Sequence, residues 1–138
     1  PFKVRTEQED FCFARSFEET LFHRRGSLTT AINLVALIWP VTTIKLLGVD
    51  LNSAAYFYDE ELQQDRPDLI DNSYRRAKEE GSHSTALSSE KFSGTVQEAV
   101  KQMVEYLKTI GISLICCNSS SLLVEQGVCP YRPVIADS

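Results

Sequence analysis

The sequence predicts an α/β fold: a mostly parallel sheet covered by helices on both faces. Two observations and one topological rule carry that expectation. A helix-like apolar run ends at a proline and is followed at once by a β-branched strand pattern. A strongly periodic amphipathic helix later leads into a second apolar strand. Helices that alternate with buried strands imply parallel pairing, with the strand ends gathered at one edge.

The first 25 residues are mixed. Phe11-Cys12-Phe13 reads as a short buried strand, and Phe22-His23-Arg24-Arg25 as a surface approach to the first helix. Gly26 and Ser27 then open a run from Leu28 to Trp39 that is apolar on nearly all sides, apart from Thr29, Thr30 and Asn33. This predicts a helix buried on most faces, with Ser27 as N-cap and Pro40 as the stop. Thr42 to Val49 reads as a buried strand, with Gly48 allowing close backbone approach near its end. Asp50, Asn52 and Ser53 lie just beyond it.

Residues 53–94 form the least regular stretch. Tyr56-Phe57-Tyr58 is an aromatic knot, Asp59 to Glu80 is rich in charge with Pro67 as a breaker, and Ser82-His83-Ser84-Thr85 comes after it. A stretch of this length without clear periodicity predicts a lid-like loop within a single domain spanning residues 1–138. The clearest local signal comes next. Thr95-x-x-Glu98 is a capping box, and Val96, Ala99, Val100, Met103, Val104, Leu107 and Ile110 repeat at helical spacing. Gly111 suits the position after the helix, Ile112 to Cys117 reads as a second strand, and Asn118 to Ser121 turns into a short helix at Leu122-Leu123-Val124.

Composition narrows the function classes. The chain has 138 residues, 43% hydrophobic and 24% charged, which suits one globular domain with a real core. Fourteen basic against nineteen acidic residues give a net charge of −5, which argues against a duplex-binding surface and predicts no nucleic-acid partner. The four cysteines form no C-x-x-C pair and share no ligand spacing with the two histidines, so buried free thiols in a reducing cytosol are expected rather than a metal site. The longest apolar stretch is too short for a membrane span. Pro1 is not an initiator Met and no signal-peptide pattern is present after it, so a fragment or a processed product is expected.

In open α/β sheets, ligands bind outside the carboxyl ends of the strands. Three polar clusters are expected to converge there: Asp50 with Asn52, His83 with Ser84, and Asn118 to Ser121. The Gly26-Ser27 helix start suits a phosphate, although an ordinary helix start explains it too. His83 has the pKa range for general acid/base work, against the alternative of a solvated loop histidine. Asp50 could orient a base, bind a ribose hydroxyl or simply close a strand-end turn, and Tyr56 and Tyr58 could stack on or hydrogen-bond a ligand or simply pack as an aromatic cluster under the loop. Neither nucleotide-binding glycine fingerprint nor a G-x-S-x-G elbow occurs.

The ordered set Arg25-Gly26-Ser27-Leu28-Thr29-Thr30-Ala31, Ile44 to Asn52, Tyr56-Phe57-Tyr58, His83-Ser84, Gly111-Ile112 and Asn118 to Leu123 resembles the C-terminal half of bacterial lipo-oligosaccharide sialyltransferases, glycosyltransferase family 42. It is also similar to their relatives among surface-polysaccharide proteins. The match covers roughly residues 22–130. The family's first half has no counterpart here. The resemblance implies a Rossmann-like three-layer fold, present as the C-terminal part of a domain. It implies transfer of a nonulosonic acid from a CMP-activated donor to a glycan acceptor, with no metal or other cofactor. His83 matches the catalytic base. Gly26, Ser27, Gly48, Asp50, Asn52, Tyr56, Tyr58, Ser84, Asn118 and Ser121 are the expected substrate-binding positions. Partners would be the nucleotide sugar and the glycan, with the acceptor bringing a cytoplasmic chain to the inner face of the membrane, and with a homo-oligomer if a sheet edge is left open. The competing reading is a non-catalytic α/β module that binds a sugar nucleotide or a protein.

Overall fold

A computed structural model describes residues 3–4, 7–8, 10–55, 58–88 and 93–135. In chain order its elements are β1 (Lys3–Val4), β2 (Thr20–Leu21), α1 (Ser27–Ile38), β3 (Thr43–Leu46), α2 (Asp59–Asp65), α3 (Asn72–Glu80), α4 (Val96–Thr109), β4 (Ser113–Cys116) and α5 (Leu122–Glu125), with 3-10 turns at Pro67–Leu69 and Ser84–Ala86. The fold is α/β. Among the described residues the sheets are two parallel pairs, β1 with β2 and β3 with β4. Thr43 pairs with Ser113 and Leu46 with Cys116, so both strands of the second pair end at one edge. A single parallel bridge from Cys116 to Tyr131 extends that pair on its other side.

Helix α4 anchors the core. Thr95 Oγ1 accepts the Glu98 N–H at 3.4 Å, while the Glu98 carboxylate accepts the Thr95 N–H at 2.7 Å, completing the capping box. At the other end Ile112 N–H donates to Leu107 O and Gly111 N–H to Lys108 O, with Gly111 at φ 79°, which is a Schellman motif. Val96, Ala99, Val100, Met103, Val104 and Leu107 are buried and meet Ile32, Leu114, Cys116 and Leu123 in one apolar cluster. The period-3.6 stripe read from the sequence therefore packs from Val96 to Leu107, whereas Ile110, its last expected member, is the exposed C-cap residue.

Helix α1 departs from expectation in two ways. Ser27 is its first helical residue rather than its cap; Gly26 holds the cap position, with φ 113° and no side-chain cap bond. The helix is also not buried on most faces. Its buried residues are Thr29, Ile32 and Asn33, whereas Trp39 is 57% exposed. A two-stranded pair offers a helix one narrow face, so most of the apolar surface of α1 stays partly open.

Phe11-Cys12-Phe13 is not a strand. It is held by rings and by one side chain: Phe11 packs edge-on to Phe22 at 5.1 Å, Phe13 lies 4.7 Å from Tyr106, and Asn33 bonds the backbone next to it. The 53–94 stretch is more regular than expected, because α2 and α3 occupy much of it. Asp71 caps α3 by accepting the Tyr74 N–H at 2.8 Å, and Gly81 closes it at φ 65°. Asp59 on α2 accepts from Tyr74 Oη at 2.7 Å and pairs with Lys78, which joins the two helices. Helix α2 has no buried residue, so the apolar repeat that reveals a helix in sequence is missing there. No helix among the described residues is long and apolar enough to cross a membrane.

Candidate functional site

Beyond the carboxyl end of β3 lies a cleft of about 270 Å³. Its lining comes from three places: Arg25 to Leu28 at the start of α1, Gly48 to Leu51 beyond β3, and His83 with Thr85; Val96 of α4 closes it.

Backbone hydrogen bonds fix these segments together. His83 N–H donates to Leu51 O at 3.0 Å, and Leu122 N–H donates to Asp50 O at 2.9 Å. Asn52 Nδ2 donates to Ser120 O. The three polar clusters expected at the strand ends therefore do meet. Arg25 clamps the His83 segment to α1: its Nη2 donates to Ser84 O at 2.9 Å and to Leu87 O at 2.6 Å, while its N–H donates to Glu7 Oε1 and Oε2, each at 2.8 Å. Burial lowers the Arg25 pKa, Glu7 opposes that shift and Arg24 adds to it.

Backbone strain gathers in the same place. Among the described residues Arg25 (φ 56°) and Leu51 (φ 61°) are the non-glycine residues with positive φ, and both line the cleft. Gly26 and Gly48 beside them also have positive φ. Strained backbone persists where surrounding structure over-determines it, which is characteristic of ligand sites.

His83 is the titratable centre. Its Nδ1 lies 2.8 Å from Thr85 Oγ1 and accepts the Thr85 N–H at 3.3 Å. Burial lowers its pKa from the ordinary 6.5, and nearby Asp50 pulls in the opposite direction. The imidazole is therefore neutral at pH 7. The unfolded chain takes up this proton as pH falls through about 6.5, and the folded chain does so only at lower pH. Between those points the unfolded state binds more protons, so stability should fall as pH is lowered. Urea midpoints measured from pH 7 to pH 5 should show that decline, and His83→Gln should flatten it. An unchanged slope in the variant would assign the decline to other groups.

The expected site residues divide clearly. Gly26, Ser27, Gly48, Asp50 and His83 line the cleft. Ser84 lies behind it as the carbonyl held by Arg25. Asn52, Asn118 and Ser121 build the adjoining turn: Asn118 Oδ1 accepts Ser120 N–H at 3.0 Å, and buried Ser121 Oγ accepts Leu123 N–H at 3.2 Å. Tyr58 sits at the start of α2 with 37% exposure, outside the cleft lining, and Tyr56 lies outside the described residues. Sequence reasoning missed Thr85, whose only signal was a hydroxyl two residues beyond His83. It also missed the structural role of Arg25.

Cys116 and Cys129 are buried free thiols, Cys117 is partly buried and Cys12 is exposed. Burial, with Cys116 adding and Lys108 opposing, pushes the Cys129 thiol up to about 12. Among the described residues no three His, Cys, Asp or Glu side chains group so as to hold a metal ion. Compared with known proteins, the chain matches no family model, no curated protein and no solved structure.

Proposed function

We propose that this chain is a glycosyltransferase-like domain that binds a CMP-activated nonulosonic acid in the cleft and passes the sugar to a glycan acceptor. The observation that carries the reading is the meeting of His83, Asp50 and the start of α1 just beyond the carboxyl end of β3, a strand paired in parallel with β4. The uncapped N–H groups of α1 supply a place for the donor phosphate, since its first turn holds no acidic residue. Asp50 supplies an acceptor for a ribose hydroxyl. His83, neutral at pH 7, serves as general base for the acceptor hydroxyl. The parallel pairs are read as part of a Rossmann-like three-layer arrangement. The glycan brings a cytoplasmic chain to the inner face of the membrane, and open sheet edges allow a homo-oligomer. No metal or other cofactor takes part in this reading.

One observation favours the non-catalytic alternative. With Thr85 N–H on Nδ1, the ring proton sits on Nε2, which makes His83 a hydrogen-bond donor rather than a base. Calorimetry separates the two readings from a cleft that binds neither ligand. Titration of the chain and of His83→Ala with CMP and with CMP-N-acetylneuraminate should give saturable binding to both proteins. Binding followed by transfer to a glycan supports the enzyme, and binding without transfer supports the module. A folded chain that gives no heat with either ligand would remove the enzyme and the sugar-nucleotide module and leave the protein-binding form of the alternative.

A further inference from the structure

The general-base reading demands something of His83 that its surroundings both oppose and permit. A base at Nε2 needs its lone pair there, so the neutral ring must carry its proton on Nδ1. Two Thr85 groups meet Nδ1. The backbone N–H, at 3.3 Å, can only donate and therefore favours the Nε2–H form. The hydroxyl, at 2.8 Å, can donate to a bare Nδ1 or accept from a protonated one. The hydroxyl is thus the partner that fits either tautomer.

The turn carrying this pair is held on several sides. His83 N–H bonds Leu51 O, Arg25 Nη2 bonds Ser84 O and Leu87 O, and Gln97 Nε2 bonds Ala86 O at 3.3 Å. A Cβ placed on Gly26 would lie 3.5 Å from Thr85 Cγ2, so the methyl faces the start of α1 while the hydroxyl meets the ring. Asp50 and Arg25 are the charged groups that share the cleft with the imidazole.

We propose that Thr85 is a positioning residue whose hydroxyl is the reversible partner of His83 Nδ1, donating in the resting Nε2–H ring and accepting in the Nδ1–H ring that acts as base. This rests on the transfer reading of the same cleft. In the working form Nε2 takes the acceptor hydroxyl proton as the new sugar–oxygen bond forms. The bond from sugar to phosphate oxygen breaks, and its electron pair leaves with CMP. The imidazolium then donates Nδ1–H to Thr85 Oγ1 and returns its Nε2 proton to solvent.

Thr85→Val keeps the shape and the backbone N–H but removes the hydroxyl. It should bias the neutral ring further toward Nε2–H, move the His83 titration to lower pH, and reduce kcat about tenfold, the worth of the one neutral hydrogen bond by which the hydroxyl supports the Nδ1–H form. KM for the donor should stay constant, and Thr85→Ser should restore all three readouts. Nitrogen-15 NMR reads tautomer and titration directly, because the chain has two histidines and His23→Gln assigns them. If Thr85→Val matches the wild type in tautomer and titration, or Thr85→Ser behaves like Val, the proposal falls. If the wild type shows no transfer while Thr85→Val still shifts the titration, the transfer reading fails and the positioning role stands.

Discussion

Asn33→Ala should destabilise the protein by about 3–5 kcal/mol, a large share of the roughly 5–15 kcal/mol that holds a domain of this kind together. Asn33 is completely buried on α1. Its Oδ1 accepts Ala14 N–H at 3.0 Å and Phe22 N–H at 2.9 Å, and its Nδ2 donates to Ala14 O at 2.9 Å. Ala14 and Phe22 are themselves fully buried, so truncation strands two donors and one acceptor away from water. Asn33→Asp should fare no better. It keeps the acceptor but turns a carboxylate oxygen toward the Ala14 carbonyl. Urea unfolding measures the loss, and limited proteolysis should show residues 10–24 cut first. A midpoint shift worth less than about 1 kcal/mol would mean that the Phe11, Phe13 and Tyr106 rings hold this segment without the amide.

On the proposed transfer reading, His83→Ala should reduce sugar transfer by about 10²–10⁴-fold, the usual contribution of a positioned general base. The fold should survive, because the bond from His83 N–H to Leu51 O is made by the backbone and the Arg25 clamp grips Ser84 and Leu87. Affinity for CMP should change little if the imidazole acts on the acceptor rather than on the nucleotide. Circular dichroism checks the fold, calorimetry the binding, and a coupled transfer assay the rate. Full activity in the variant would remove His83 from the mechanism and turn attention to Asp50.

The elements that could be read in sequence are those whose cause is local. The capping box of Thr95 and Glu98 needs only residues three apart, and the Gly111 stop follows from φ 79°, a conformation that glycine adopts at least cost. The strands around Ile44 and Leu114 announce themselves by apolar and β-branched residues. What could not be read depends on distant partners. Asn33 looks like an interruption in an apolar run until Ala14 and Phe22 are placed around it. Helix α2 buries nothing and α3 little beyond Ala77, so no wide apolar stripe marks either; Asp71 caps α3, and the Asp59–Lys78 pair joins the two helices. In the site, His83 and Asp50 could be named as candidates. Their meeting depends on a bond between Leu51 and His83, and that bond depends on a backbone conformation at Leu51 that no leucine advertises.

The pairing of β3 with β4 sets an order on folding. Ile44 and Leu114 are partners seventy positions apart, since 114 − 44 = 70, so the ladder must wait for a long loop to close. Closure entropy must be met before such distant contacts give any return. Helix α4 has no such delay, because its two caps bond residues within five positions of each other. It is suited to form early and offer its apolar stripe to β4 and then to α1. The cleft would be assembled last, when the segment beyond β3 meets the His83 turn and the start of α1. Because loop-closure cost grows only slowly with length, the exposed part of this stretch around α2, which buries no residue, is where the chain can gain or lose residues with least effect on stability.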